Sequence, residues 1–137
     1  MTTTKIDLNC SRIARLEDLD ELAAVLFPNN KNHQRAFLAV FIELKWAEGQ
    51  FLPALEPIAN KHGISHRTLE TVRAKMRRLG LIDHVSRFNQ RRGYREGWVF
   101  SGRFSHAQLH LVELMRDFKE KTDGHQEQKD RDLFMYV

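Results

Sequence analysis

Between Pro53 and Gly80 the chain carries two short amphipathic segments, each closed by a glycine, and this pair leaves few choices of fold. The first places Leu55, Ile58 and Ala59 at helical spacing and stops at Gly63, a residue suited to the left-handed conformation that ends a helix. Pro57 is tolerated there because it falls within the first turn. Ser65 can cap the next helix, since its hydroxyl can accept from a free first-turn amide. That helix, about Ser65 to Leu79, turns Leu69, Val72, Met76 and Leu79 inward and stops at Gly80 in the same manner. At about 100° per residue its opposite face presents Arg67, Glu70, Thr71, Ala74 and Arg78, with Lys75 and Arg77 to either side.

Two alternating stretches follow, Leu81 to Phe88 and Gly97 to Phe104, and both read as strands. The residues between them, Asn89-Gln-Arg-Arg-Gly-Tyr-Arg, are polar and contain a glycine, which makes a hairpin loop with Arg91, Arg92 and Arg95 near its tip. Upstream, residues 1 to 10 form a loose arm. Ile13, Leu16, Leu19, Leu22, Ala23 and Leu26 then mark one helical stripe, with Ser11 as its cap. Pro28 to Asn32 is a loop, and a further helix runs from about His33 to Glu48 with Phe37, Val40, Phe41, Leu44 and Trp46 turned inward. Trp98 is also expected in the core. Downstream, Ser105 caps a helix over His106 to Lys121. Its apolar residues, Leu109, Leu111, Val112, Leu114, Met115 and Phe118, cover more than one stripe and predict contact from two sides. Thr122 to Asp132 is polar and reads as mobile, while Leu133 to Val137 is an apolar end suited to docking. The expected organisation is an arm (1–10), one domain (11–121) and a polar tail with an apolar terminus (122–137).

Composition narrows the function. The 137 residues are 42 % apolar and interleaved with charge, which is enough for one core and unlike a disordered or membrane composition. No apolar run approaches the ~20 residues that span a bilayer, and the start lacks a signal-peptide core, so a cytoplasmic protein is expected. The single Cys10 excludes an internal disulfide framework. The net charge of +4 hides a segregation: from Lys61 to Arg95 ten Lys and Arg stand against Glu70 and Asp83, which is 10 − 2 = +8 and leaves 4 − 8 = −4 elsewhere. Concentration of this kind is the electrostatic footprint of a phosphate-binding face. His106 and His110, one turn apart with Glu113 beyond, have a spacing that can hold a metal, yet no Cys or Asp completes a set, so they read as a solvated helix face. No Gly-rich phosphate loop, nucleophile elbow or carboxylate pair is present. The chain reads as a non-enzyme with no cofactor.

Ile58-Ala59, Gly63-Ile64-Ser65, Thr68-Leu69, Val72, Met76, Leu79 and Gly80-Leu81-Ile82 resemble the pattern of small prokaryotic winged-helix transcriptional regulators, such as the MarR, ArsR and GntR groups. The likeness covers residues 53–104. It implies a mainly α fold with a small antiparallel β-ribbon, a winged helix-turn-helix with flanking N- and C-terminal helices, in which Phe51-Leu52 is a short strand pairing with the wing. The loop lacks the Asp-x-Arg signature of MarR-like wings, and no ligand cluster of the ArsR kind is present. The resemblance therefore assigns no small-molecule effector.

What it implies in function is sequence-specific binding of double-stranded DNA by a transcriptional regulator, with no membrane role. The regulator is expected to be a homodimer whose seam is built by helices 11–26 and 106–121. In the major groove Arg67 and Arg78 can donate to guanine, Thr71 can touch a thymine methyl and Glu70 can accept from cytosine, with Lys75 and Arg77 alongside. Ser65 and His66, at the helix start, meet phosphate. Arg91, Arg92 and Arg95 hold phosphates or enter the minor groove, and Tyr94 packs along a sugar. The competing expectation is a winged-helix architectural or protein-interaction module in a replication or RNA-processing assembly, for which the apolar terminus speaks.

Overall fold

The computed structural model describes residues 4–91 and 93–137, with Asn89 by its backbone alone. The chain is mainly helical with a three-stranded antiparallel sheet. Where the sequence carries a single domain on to residue 121, the backbone divides after Phe104 into a first unit and a second, Ser105–Val137.

The described part of the arm, residues 4–10, is not loose, and residues 1–3 lie outside the described residues. Ile6 packs against the core, and the Asp7 amide donates to the Val25 carbonyl at 2.9 Å. Helix α1 (Cys10–Ala14) is capped by Asn9, whose side chain accepts from the Arg12 amide at 3.1 Å. The chain leaves helical geometry at Arg15 and re-enters it after Asp18, where α2 (Leu19–Leu26) begins. The helix expected over Ser11 to Leu26 is thus two helices, and Asn9 rather than Ser11 caps the first. Once interrupted, the stripe no longer lies on one face, and Ile13 is 38 % exposed.

Helix α3 (Lys31–Trp46) starts two residues earlier than expected because Asn30 accepts from the His33 amide at 3.0 Å. It is the axis of the core. Ala36, Phe37, Ala39, Val40 and Leu44 are buried along it against α2 and the elements that follow. Trp46 is the exception to the expected inward set. It lies in the last turn, 75 % exposed, with the Lys45 ammonium 5.1 Å from its ring. A short 3-10 turn leads to β1 (Phe51–Leu52) and then α4 (Glu56–His62), which buries Ile58 and Ala59.

Gly63 is left-handed (φ 65°, ψ 40°) and turns the chain from α4 into α5 (His66–Leu79). Leu69, Val72 and Met76 are buried, as the helical period requires, and Gly80 ends the helix with φ 83°. Strands β2 (Ile82–Asn89) and β3 (Gly93–Phe100) form the hairpin, and β1 joins the free side of β3, giving the order β1-β3-β2. Six fully buried side chains, Phe37, Leu44, Met76, Ile82, Val40 and Val72, tie α3, α5 and β2 into one core. Each contributes about 1.5–3 kcal/mol of apolar burial.

The strands have the expected length, but β3 begins four residues earlier than the sequence suggests and the turn is tighter. Tyr94, Arg95 and Glu96 belong to β3, paired with Phe88, Arg87 and Ser86, rather than to a loop. Polar residues alternate here as regularly as apolar ones, so polarity does not mark the turn.

Helix α6 (Arg103–Lys119) begins before Ser105, which is therefore not its cap. Within the second unit Leu109, Leu111, Val112, Met115 and Phe118 are all at least half exposed. Residues Thr122 to Asp132 are not irregular: α7 (Gly124–Asp132) is capped by Asp123, which accepts from the His125 and Gln126 amides. Leu133 to Val137 are exposed. No described helix is long and apolar enough to cross a membrane.

Candidate nucleic-acid interface

The start of α5 is built to leave amides open. Ser65 Oγ accepts from the Thr68 amide at 3.1 Å and donates to Thr68 Oγ1 at 2.8 Å, which fixes the first turn. The amides of His66 and Arg67 remain at the helix end, where the backbone dipole favours an anion. Ser65, His66 and Arg67 are all exposed. One and three turns beyond Arg67, Thr71 and Arg78 are exposed on the same side, with Glu70 and Arg77 flanking them. The Thr71 hydroxyl donates to the Arg67 carbonyl at 3.0 Å, so the hydroxyl serves the helix and the methyl is what Thr71 offers a ligand.

Glu70 stands on this face paired with Arg73, and that hydrogen bond holds its carboxyl below its ordinary pKa. The Arg73 guanidinium also lies 5.3 Å from the Trp98 ring. Trp98 is partly buried against the core, close to expectation. The acid in the middle of the basic face is therefore held by a strut between α5 and β3.

Lys75 departs from the expected role. Its ammonium donates to the carbonyl of Lys5 at 2.7 Å and of Leu26 at 2.5 Å, and it lies 4.5 Å from the Phe27 ring. Burial first, and Arg78 second, push it below its ordinary pKa. Lys75 fastens the arm and the end of α2 to α5 and is turned away from the outer face. On a helical wheel it borders that face; its long stem reaches groups 70 and 49 residues away in sequence, which no periodicity reveals.

The far end of α5 is clamped. Arg103 Nε lies 3.1 Å from Asp83 Oδ1, Nη2 lies 2.5 Å from the same oxygen, and Nη2 also donates to the Arg77 carbonyl at 2.9 Å. Asp83 is held below its ordinary pKa, by Arg103 above all. One guanidinium thus joins the last turn of α5 to the first residues of β2, and so sets the angle between helix and hairpin.

On the hairpin, Arg95 is not at the tip. Its guanidinium stacks 4.7 Å from the Phe51 ring, on the face it shares with Arg87 across the strands. Gly97 makes room for that ring: a Cβ at this position would lie 2.6 Å from Phe51 Cζ and 2.5 Å from the Leu52 carbonyl oxygen. The Tyr94 hydroxyl donates to Glu96 Oε1 at 2.7 Å and lies 2.9 Å from Ser86 Oγ, so its polar edge is engaged within the ribbon. Arg91 is exposed, and Arg92 lies outside the described residues.

Two groups escape the sequence reading. Arg87 is exposed opposite Arg95; it lies within the expected strand, but the sequence puts its partner in the loop, so the pairing that gives it a basic neighbour is not legible there. Beside α5 a cleft is lined by Lys5, Asn30, His33, Thr71, Lys75 and Arg78, gathered from three separate stretches of chain without a local signal. Among the described residues no group of three or more His, Cys, Asp or Glu could hold a metal ion. No family model, curated protein or solved structure matches this chain.

Proposed function

We propose that the first unit is a winged helix-turn-helix that binds double-stranded DNA, α5 entering the major groove and the β2–β3 hairpin lying on the backbone or in the minor groove. The observation that carries this reading is the surface of α5. Its buried stripe is wholly apolar, while its outer side combines open first-turn amides with exposed Arg67, Thr71, Arg77 and Arg78. A second exposed basic group, Arg87 and Arg91, stands on the hairpin that Arg103 fixes to the same helix. A merely solvated helix has no need of two cationic elements braced at a set angle.

Arg67 and Arg78 read base edges in this scheme, and Thr71 offers its methyl to a thymine. Ser65, His66 and the helix-end amides hold a phosphate. Lys75 and Arg95 act indirectly, by fixing the arm and the ribbon. The exposed apolar residues of α6 support a homodimer, because a single module of this kind grips few base pairs and a two-fold pair doubles the site. Regulation of transcription is the use such a dimer suits best.

The second reading is an architectural or protein-interaction module, and the specific observation favouring it is the exposed run Leu133 to Val137. Selection from a random duplex library separates the two. A regulator enriches a defined, two-fold site and loses that preference in Arg67→Ala/Arg78→Ala. Binding that weakens equally on all sequences would favour the architectural module instead.

A further inference from the structure

The β2–β3 ribbon has two unlike faces. Cross-strand partners share a face, and successive residues alternate. The register therefore places Ile82/Phe100, His84/Trp98, Ser86/Glu96 and Phe88/Tyr94 on one side and Asp83/Val99, Val85/Gly97 and Arg87/Arg95 on the other. On the first side the inner pairs belong to the molecule: Ile82 is fully buried, and Trp98 and Phe100 pack on the core. The outermost pair does not. Phe88 is 76 % exposed and Tyr94 63 % exposed.

Tyr94 has an internal task through its hydroxyl, but Phe88 has none. Among the described residues its ring joins no ring pair and stacks with no cation. Phenylalanine carries no polar atom, so a partner can meet it only through apolar contact or stacking. The surroundings say which partner. Arginines 87 and 91 bring a polyanion to the hairpin, while Glu96, one pair inward on the aromatic face, disfavours phosphates lying along that face. What a polyanion can present there is its uncharged part, the bases. A pair of rings near a hairpin turn suits insertion at one base step; a platform for single strands needs successive rings along a groove.

We propose that Phe88, supported by Tyr94, is an apolar wedge that enters the minor groove of duplex DNA and unstacks one base step, bending the duplex at the hairpin. This rests on the DNA-binding function proposed above and adds to it a residue and a deformation. The wedge favours pyrimidine–purine steps, which unstack most readily.

The test uses the full-length protein and a duplex of mixed sequence with a central TA step, labelled at both ends for energy transfer. Wild type is expected to shorten the end-to-end distance by a bend of roughly 20° or more. Phe88→Ala should bind the same duplex with the salt dependence of wild type and leave it straight, and Phe88→Trp should restore the bend. Because the ring is exposed, thermal unfolding of Phe88→Ala should match wild type, which excludes misfolding. Wild type that binds without bending overturns the wedge and leaves DNA binding standing, as does Phe88→Ala that bends as well as wild type. Failure of wild type to bind any duplex at low salt overturns both.

Discussion

Gly80 ends α5 and packs closely against Arg103 and Phe104, so its replacement by alanine tests how the interface is held. Its φ of 83° is left-handed, a conformation that costs an alanine ~1–2 kcal/mol. The added Cβ would also lie 2.8 Å from Arg103 Cβ and 2.8 Å from the Phe104 amide nitrogen. Neither obstacle is the end of a flexible side chain. The Phe104 amide donates to the Gly80 carbonyl at 3.0 Å, so moving that backbone weakens a hydrogen bond worth ~1 kcal/mol net. Overpacking adds roughly another 1–3 kcal/mol. The sum is ~4 kcal/mol, or about 20 °C in Tm for a unit of this size. Gly93 is the control: it shares the left-handed geometry with φ 74°, but a Cβ there meets nothing within 4 Å. Gly93→Ala should cost only ~1–2 kcal/mol. Urea denaturation followed by circular dichroism gives both values. If the two variants lose stability within ~1 kcal/mol of each other, the close approach at Gly80 is not what holds α5 and the reasoning fails.

Three further outcomes follow from the contacts described. Lys75→Met should lower stability by ~1–3 kcal/mol, because the Lys5 and Leu26 carbonyls lose their donor, yet leave the salt slope of DNA binding unchanged; a shallower slope would return Lys75 to the interface. Asp83, Glu43 and Glu70 are all held below their ordinary pKa by cationic partners, so the folded state binds fewer protons in acid than the unfolded state. Their stabilisation is present above the usual carboxylate range near ~4 and is lost as pH falls through the folded values. Asp83→Asn should accordingly be less stable than wild type at pH ~6, with a deficit that shrinks as pH falls below the usual carboxylate range near ~4, and a deficit independent of pH would contradict the pairing. Leu109→Glu/Met115→Glu on α6 should convert a dimer to a folded monomer in light scattering, with circular dichroism unchanged, since both side chains are exposed within one chain; a wild-type monomer at micromolar concentration would remove the dimer.

Much of α5 was legible because its signals are local. A glycine stop, a serine cap and a four-residue apolar period are each decided within one turn, and Gly63, Ser65, Leu69, Val72, Met76 and Gly80 stand where those rules put them. The failures have a common physical cause, which is distance along the chain. The stripe from Ile13 to Leu26 runs through a break between Arg15 and Asp18, so periodicity cannot see the interruption. Lys75 and Arg95 look like their neighbours on a wheel or a ladder, and their fates depend on Leu26 and Phe51, which fold beside them. Trp46 is apolar by composition but falls in the last turn of α3, where no element covers it.

The claim that α5 and the hairpin form one phosphate-neutralising surface is tested most directly by the salt dependence of binding to mixed-sequence duplex DNA. Wild type and Arg87→Ala/Arg91→Ala should be measured side by side from 50 to 200 mM salt, over which a protein making several phosphate contacts loses about 10³-fold or more in affinity. The log–log plot should be steep for wild type and shallower in the variant by about 2 per protomer, one for each cation removed. Equal slopes would detach the hairpin from the DNA. Absence of binding at 50 mM salt, the lower end of that range where phosphate contacts are about strongest, would contradict the account outright.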